Sequence, residues 1–163
     1  GEPLLQLSLP GFLSKIKELG LLVKLDTNGT LPNRLAALIE GGLVDYLSID
    51  IKAPLSNIGA YSVAAGGCFD TSSIQKSVTL FNESGLAGEF RTTILPGFHS
   101  FEMLLELANG LPERLPYFLQ RFIPTHARSG YWSRQPCESS ESIRDLADRL
   151  SLALPEREIS ARA

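Results

Sequence analysis

A helical stretch closed by glycine and followed by a short apolar run recurs along the chain, and this repeat constrains the fold more than any other feature. Residues 10–19 place Phe12, Leu13, Ile16 and Leu19 on one helical face, with Pro10 in the first turn, where a missing N–H is harmless, and Gly20 at the stop. Residues 21–25 then read as a strand. Residues 32–40 repeat the scheme with Leu35, Leu38 and Ile39 inward and Gly41-Gly42 at the end, before a strand over 46–51. A looser Gly/Ala/Ser stretch, 53–71, precedes a helix in which Ser72 and Gln75 have capping-box spacing, Ile74, Val78 and Phe81 form the inner face and Gly85 the end. Strands over 89–95 and 117–122 flank a helix over 101–108, and Ile143, Leu146, Ala147 and Leu150 mark a closing amphipathic helix.

Strands alternating with helices of this length imply right-handed crossovers and an α/β fold with a parallel sheet, either open or part of a barrel. One domain over 1–163 is expected, with the β/α units reaching about residue 124 and a loop and C-terminal helix over 125–163. Gly1-Glu2-Pro3 reads as the tip of a preceding strand, and the N-terminus as a truncation.

Composition narrows the function. No apolar run approaches the roughly 20 residues of a spanning helix. A net charge of -3 with interspersed signs offers no basic stripe for nucleic acid, so small molecules or proteins are the expected partners. Cys68 and Cys137 lie far apart, form no ligand cluster and read as ordinary loop cysteines of a reducing cytoplasm. His99 and His126 read as loop residues. Trp132 reads as a surface-packing residue, with a pocket cap or partner contact as the alternative.

The chemistry lies in the strands. Parallel strands covered on both faces are continuous apolar runs; these alternate. Ser48, Asp50 and Lys52 share one face against Leu47, Ile49 and Ile51, while Glu89, Arg91 and Thr93 alternate with Phe90 and Ile94. Lys24 and Asp26 fall together, with Asn28 just beyond. Polar groups thus gather toward strand C-termini, where α/β folds bind ligands. Burying Asp50, Lys52 and Arg91 unpaired would cost several kcal/mol each, roughly, so they face one another or a polar ligand. An internal ion-pair network that only holds the sheet together is the competing reading.

Gly1-Glu2-Pro3, Leu25-Asp26-Thr27-Asn28-Gly29, Asp50-Ile51-Lys52 and Arg91-Thr92-Thr93-Ile94-Leu95-Pro96-Gly97, in this order and spacing, resemble radical S-adenosylmethionine activating enzymes. The anaerobic ribonucleoside-triphosphate reductase activating proteins are the nearest in pattern, and pyruvate formate-lyase activating enzyme is a more distant likeness. The resemblance runs from Gly1 to about Pro124 and weakly through the last helix. It implies a partial (β/α)6 TIM-like barrel lacking its N-terminal strand or strands and cluster loop. It places Gly1, Glu2 and Pro3 at the methionine amino group of S-adenosylmethionine, Asp26, Asn28, Asp50, Lys52 and Arg91 along the cofactor pocket, and Gln120 near the adenine. In such enzymes a [4Fe-4S] cluster held by a Cys-x-x-x-Cys-x-x-Cys loop reduces the cofactor to a 5′-deoxyadenosyl radical, which takes a hydrogen from a glycine of a partner glycyl-radical enzyme. Flavodoxin or ferredoxin would supply the electron. That cysteine loop is absent from this sequence, so no catalytic residue and no metal ligand is assigned within it, and the chain alone is expected to be inactive. Two other readings remain: a Schiff-base lyase using Lys52, and a non-catalytic fragment that binds a nucleotide or a protein.

Overall fold

In the computed structural model, which describes residues 1–68, 70–127 and 130–163, five strands form one parallel sheet in chain order. They are β1 (Lys24–Thr27), β2 (Tyr46–Asp50), β3 (Ala87–Ile94), β4 (Tyr117–Arg121) and β5 (Ile159–Arg162). The sheet does not close: β1 and β5 each pair with a single neighbour. The six helices are α1 (Leu9–Glu18), α2 (Pro32–Glu40), α3 (Ile58–Ala65), α4 (Thr71–Ser84), α5 (Phe101–Asn109) and α6 (Ser140–Ala153).

Register separates two unlike faces. Leu25, Leu47, Ile49, Phe90, Ile94, Tyr117 and Leu119 are buried in one core with Leu35, Leu38, Ile74, Val78, Phe81, Leu104, Ile143 and Leu150 of the helices. The few polar groups of this layer are satisfied: the Tyr117 hydroxyl donates to Thr92 Oγ1 (2.8 Å), which donates to the Ile51 carbonyl (2.6 Å). The opposite face carries Lys24, Asp26, Ser48, Asp50, Glu89, Arg91, Thr93, Gln120 and Arg162, two residues apart along each strand as a period of 2 requires.

Several boundaries differ from the sequence reading, each for a local reason. The strand expected over 21–25 lies at Lys24–Thr27, and Leu21 and Leu22 are exposed. The backbone enters the sheet only at Val23, whose N–H donates to Asp45 Oδ2 (2.7 Å) while its carbonyl accepts from the N–H groups of Asp45 and Tyr46. On α1, Leu13 is buried and Ile16 packs on the core, but Phe12 and Leu19 face outward. The loose stretch 53–71 contains α3, begun by Asn57, whose side chain accepts from the Ala60 N–H, and ended at Gly66 with φ 74°. Its apolar residues are not periodic, so only Tyr61 reveals the buried side. Asp70, not Ser72, caps α4. Pro3 opens a 3-10 turn, Pro3–Leu5, capped by the Glu2 carboxylate, so Gly1-Glu2-Pro3 adds no strand to the five-stranded sheet. The expected C-terminal loop and helix is followed by β5, a short strand with no apolar run to announce it.

Gly88 marks the tightest packing. A Cβ there would lie 1.9 Å from the Leu47 carbonyl oxygen and 2.5 Å from the Phe81 ring. Neither the β2 backbone nor a ring already packed edge-on against Phe90 can retreat. Gly88→Ala is expected to destabilise the fold by about 3 kcal/mol or more, read as a lowered urea midpoint with an unchanged slope.

Candidate functional site

The polar face is organised around Glu89, whose side chain has no solvent exposure. Arg162 donates to both carboxylate oxygens (2.5 and 2.6 Å), the Tyr46 hydroxyl donates to Oε2 (2.6 Å), and Ser48 Oγ and Lys24 Nζ reach Oε1 at 3.2 and 3.3 Å. The Arg162 guanidinium lies 3.8 Å over the Phe118 ring on its way across β4. Burial alone raises the Glu89 carboxyl, but the Arg162 fork, the Tyr46 hydroxyl and the Lys24 charge outweigh it and bring it down to about 2. Burial, and then the bond to Glu89, push the Tyr46 phenol up to about 12.

One step toward the strand C-termini the compensation is incomplete. Lys52 Nζ donates to Asp50 Oδ2 (2.6 Å) and Arg91 Nη1 to Asp26 Oδ2 (3.3 Å). Asp50 Oδ1 and Arg91 Nε, by contrast, are buried without a hydrogen-bond partner. Asp50 and Arg91 are register partners on adjacent strands, so an orphan acceptor and an orphan donor stand side by side.

A cavity of about 860 Å³ opens at this end, within the range of small-molecule sites. Asp50, Lys52, Thr93, Gln120 and Arg162 supply polar groups at the strand ends, and Trp132, Phe122, Ile123, Ala64 and Ala65 supply an apolar wall. His99 fixes its rim: Nδ1 accepts the Leu95 N–H (2.8 Å), so the ring proton sits on Nε2, which donates to the Lys52 carbonyl (2.9 Å). Burial lowers the His99 imidazole below its ordinary value, outweighing the Lys52 carbonyl and Asp50, which favour the charged form.

No family model matches the chain. A curated protein of Methanocaldococcus jannaschii named as a glycyl-radical enzyme activating enzyme is 29% identical over 148 residues, covering 90% of this chain and 62% of that protein. The chain thus spans less than two thirds of that relative's length. The solved structure of TYW1 with a lysine-pyruvate adduct bound superposes with a TM-score of 0.72 at 20% identity, over 93% of this chain and 47% of that one. Streptococcus suis SuiB bound to S-adenosylmethionine gives 0.70 at 16% identity, over 99% and 37%. The chain shares the α/β fold of these two structures and is similar in sequence to the M. jannaschii protein.

Within that shared fold the residues expected at the cofactor divide into three groups. Asp50, Lys52 and Gln120 line the cavity. Asp26 and Arg91 form their ion pair beside it on the same face, so the four charged groups do not converge as one set but as two linked pairs. Gly1, Glu2, Pro3 and Asn28 lie apart from the cavity lining. Glu2 accepts from the Leu4 N–H (3.1 Å), the Thr27 hydroxyl (2.7 Å) and the Asn28 N–H (2.8 Å), tying the 3-10 turn to the end of β1, while the Asn28 side chain accepts from the Thr30 N–H (3.0 Å) and hydroxyl (2.6 Å). Sequence reasoning missed Arg162, hidden in an unrecognised strand, and His99, whose two bonds come from residues 4 and 47 positions away. The Lys52 amine is engaged by Asp50 at 2.6 Å, an ion pair that would have to break before the amine could attack a carbonyl. No helix is long and apolar enough to cross a membrane among the described residues.

The Glu89 cluster has a pH signature. Its carboxyl is held below the unfolded value, so its contribution is complete above about pH 4.5 and is lost as pH falls toward about 2. Across that window the parent chain should lose about 3 kcal/mol more stability than Glu89→Gln. Urea titrations at a series of pH values measure the difference, and parallel curves would refute the assignment.

Proposed function

We propose that this chain supplies the S-adenosylmethionine-binding strands of a glycyl-radical enzyme activating enzyme, with an anaerobic ribonucleotide reductase as the type of protein activated. The observation that carries the binding site is the orphan pair, Asp50 Oδ1 and Arg91 Nε, at the ligand end of a parallel sheet. Buried acceptors and donors without partners are costly, and a ligand group that both donates and accepts, such as an amino-acid head or a ribose hydroxyl, relieves both at once. The activase assignment is supported by the name of the M. jannaschii relative.

The residues fit this cofactor. Asp50 would hold its polar groups with Arg91 in support from the neighbouring strand, Lys52 would keep the Asp50 carboxylate oriented, and Gln120 would offer an amide to the rest of the molecule. When reductively cleaved, S-adenosylmethionine supplies a carbon radical able to take a hydrogen atom from a peptide glycine. The iron-sulfur cluster does not fit: the chain has two cysteines, both exposed, and no group of three or more metal-binding side chains exists among the described residues. Electron delivery by flavodoxin or ferredoxin, contact with the glycyl-radical partner and a cytoplasmic setting belong to the whole protein in this proposal.

The chain by itself is expected to bind S-adenosylmethionine weakly and to release no 5′-deoxyadenosine with dithionite, even after iron and sulfide are added. Asp50→Ala and Lys52→Ala should each weaken binding about tenfold, roughly the loss of one hydrogen bond to a charged group. Ligand-observed NMR at high ligand concentration measures the affinity, and chromatography the product. Unchanged affinity in both variants, or product from the chain alone, would overturn the proposal.

A further inference from the structure

Trp132 is the sole tryptophan of the chain, and the polar strand ends leave it without a role. It begins a 3-10 turn, Trp132–Arg134, is half-buried, and forms part of the cavity wall. Its ring meets Phe98 and Phe122 with centroids 6.4 Å away and Tyr131 at 5.0 Å, all in T-shaped geometry, with interplanar angles of 81°, 71° and 79°. Three perpendicular neighbours fix the plane of the indole while leaving part of it open to the cavity. Phe98 in turn stands edge-on to His99 at 4.8 Å, and His99 is bonded to Leu95 and to the Lys52 carbonyl. The aromatic wall is therefore tied to the segment that carries Asp50 and Lys52.

The cavity lining consequently holds two unlike sets of groups, hydrogen-bonding side chains at the strand ends and a held aromatic plane. A ligand matched to both has a charged or hydroxylated part joined to a flat ring. We propose that Trp132 stacks on the planar heterocycle of a nucleoside-type ligand and so places the adenosyl end of the cofactor, an inference that rests on reading the site as S-adenosylmethionine-binding. Stacking is tolerant of ring identity, because every base presents a π-face. Trp132 thus gives affinity and position, while the strand-end groups select the remainder of the ligand.

The single tryptophan reports on its own contact. S-adenosylhomocysteine, which is stable in solution, is titrated against the full chain with indole emission excited beyond the adenine absorption band, and saturation-transfer NMR measures binding independently. The emission should change with S-adenosylhomocysteine and adenosine but not with methionine. Trp132→Ala should lower affinity about tenfold or more and reduce saturation of the adenine protons, with Trp132→Phe restoring most of both; circular dichroism confirms that each variant is folded. Full affinity in folded Trp132→Ala, with emission unmoved in the parent, overturns the stacking role and leaves the cofactor site standing. Failure of every adenosyl ligand to bind, or binding untouched by Asp50→Ala, instead removes the cofactor site and the stacking role with it.

Discussion

A carboxylate with no access to water sits in the middle strand of the sheet, and the polar face is arranged to keep it charged. Glu89 draws donors from β1, β2 and β5, so four of the five strands meet at one group. The Arg162 bond is the demanding one, because β4 stands between its strand and β3. Adjacent strands are about 4.8 Å apart, so the guanidinium must reach over roughly 10 Å of sheet. It does so across the Phe118 ring, which replaces water on one face of the cation. The cavity lies on the same face, with Asp50, Thr93, Gln120 and Arg162 in its lining. Removing Arg162 would leave the buried Glu89 carboxylate with Lys24, at 3.3 Å, as its cationic partner.

Compensation along the same face is graded. At the level of Glu89 and Ser48 each polar group is satisfied. Two residues further along, at Asp50 and Arg91, one atom of each side chain is engaged and another is orphaned. An ion-pair network serving only stability would have no reason to remain open at one end, since each unsatisfied buried atom costs about 1–3 kcal/mol. That gradient is what the proposed cofactor reading rests on. Glu89, Arg162 and Tyr46 form the structural network, and Asp50, Arg91 and Lys52 stand where that network ends and the cavity begins.

The parallel order of the first four strands was legible because the helices before them carry their own punctuation, a proline or cap at the start and glycine at the stop. The polar face was legible because Ser48-Asp50-Lys52 and Glu89-Arg91-Thr93 keep a period of 2 in segments that a two-sided core would have made apolar. What was not legible depended on distance in sequence or on lack of period. Leu21 and Leu22 look like strand residues, and only the Asp45 side chain, 22 residues from Val23, shows where pairing starts. Helix α3 is small and apolar on most sides, so no stripe marks it. β5 contributes the residue that completes the Glu89 cluster, yet Ile-Ser-Ala-Arg has the alternation of many exposed tails. Glu2 shows the converse: its motif was recognised, but its carboxylate is spent on Leu4, Thr27 and Asn28 rather than turned toward the cavity.

His99 connects the gradient to the aromatic wall. Its Nδ1 has no proton while it accepts from Leu95, and its Nε2 proton is committed to the Lys52 carbonyl, so neither nitrogen is free to exchange a proton with a ligand. A second proton would force an N–H against an N–H, in keeping with a pKa lowered by burial. The imidazole thus acts as a two-ended clamp, joining the turn after β3 to the segment after β2, and it also supplies the surface on which Phe98, and through it Trp132, is seated. Loops that were independently mobile would have to be ordered by the ligand, and each ordered side chain would subtract from binding. Because one histidine has already joined them, the binding energy of the proposed ligand would be available for the strand-end groups, where Asp50 Oδ1 and Arg91 Nε still lack partners.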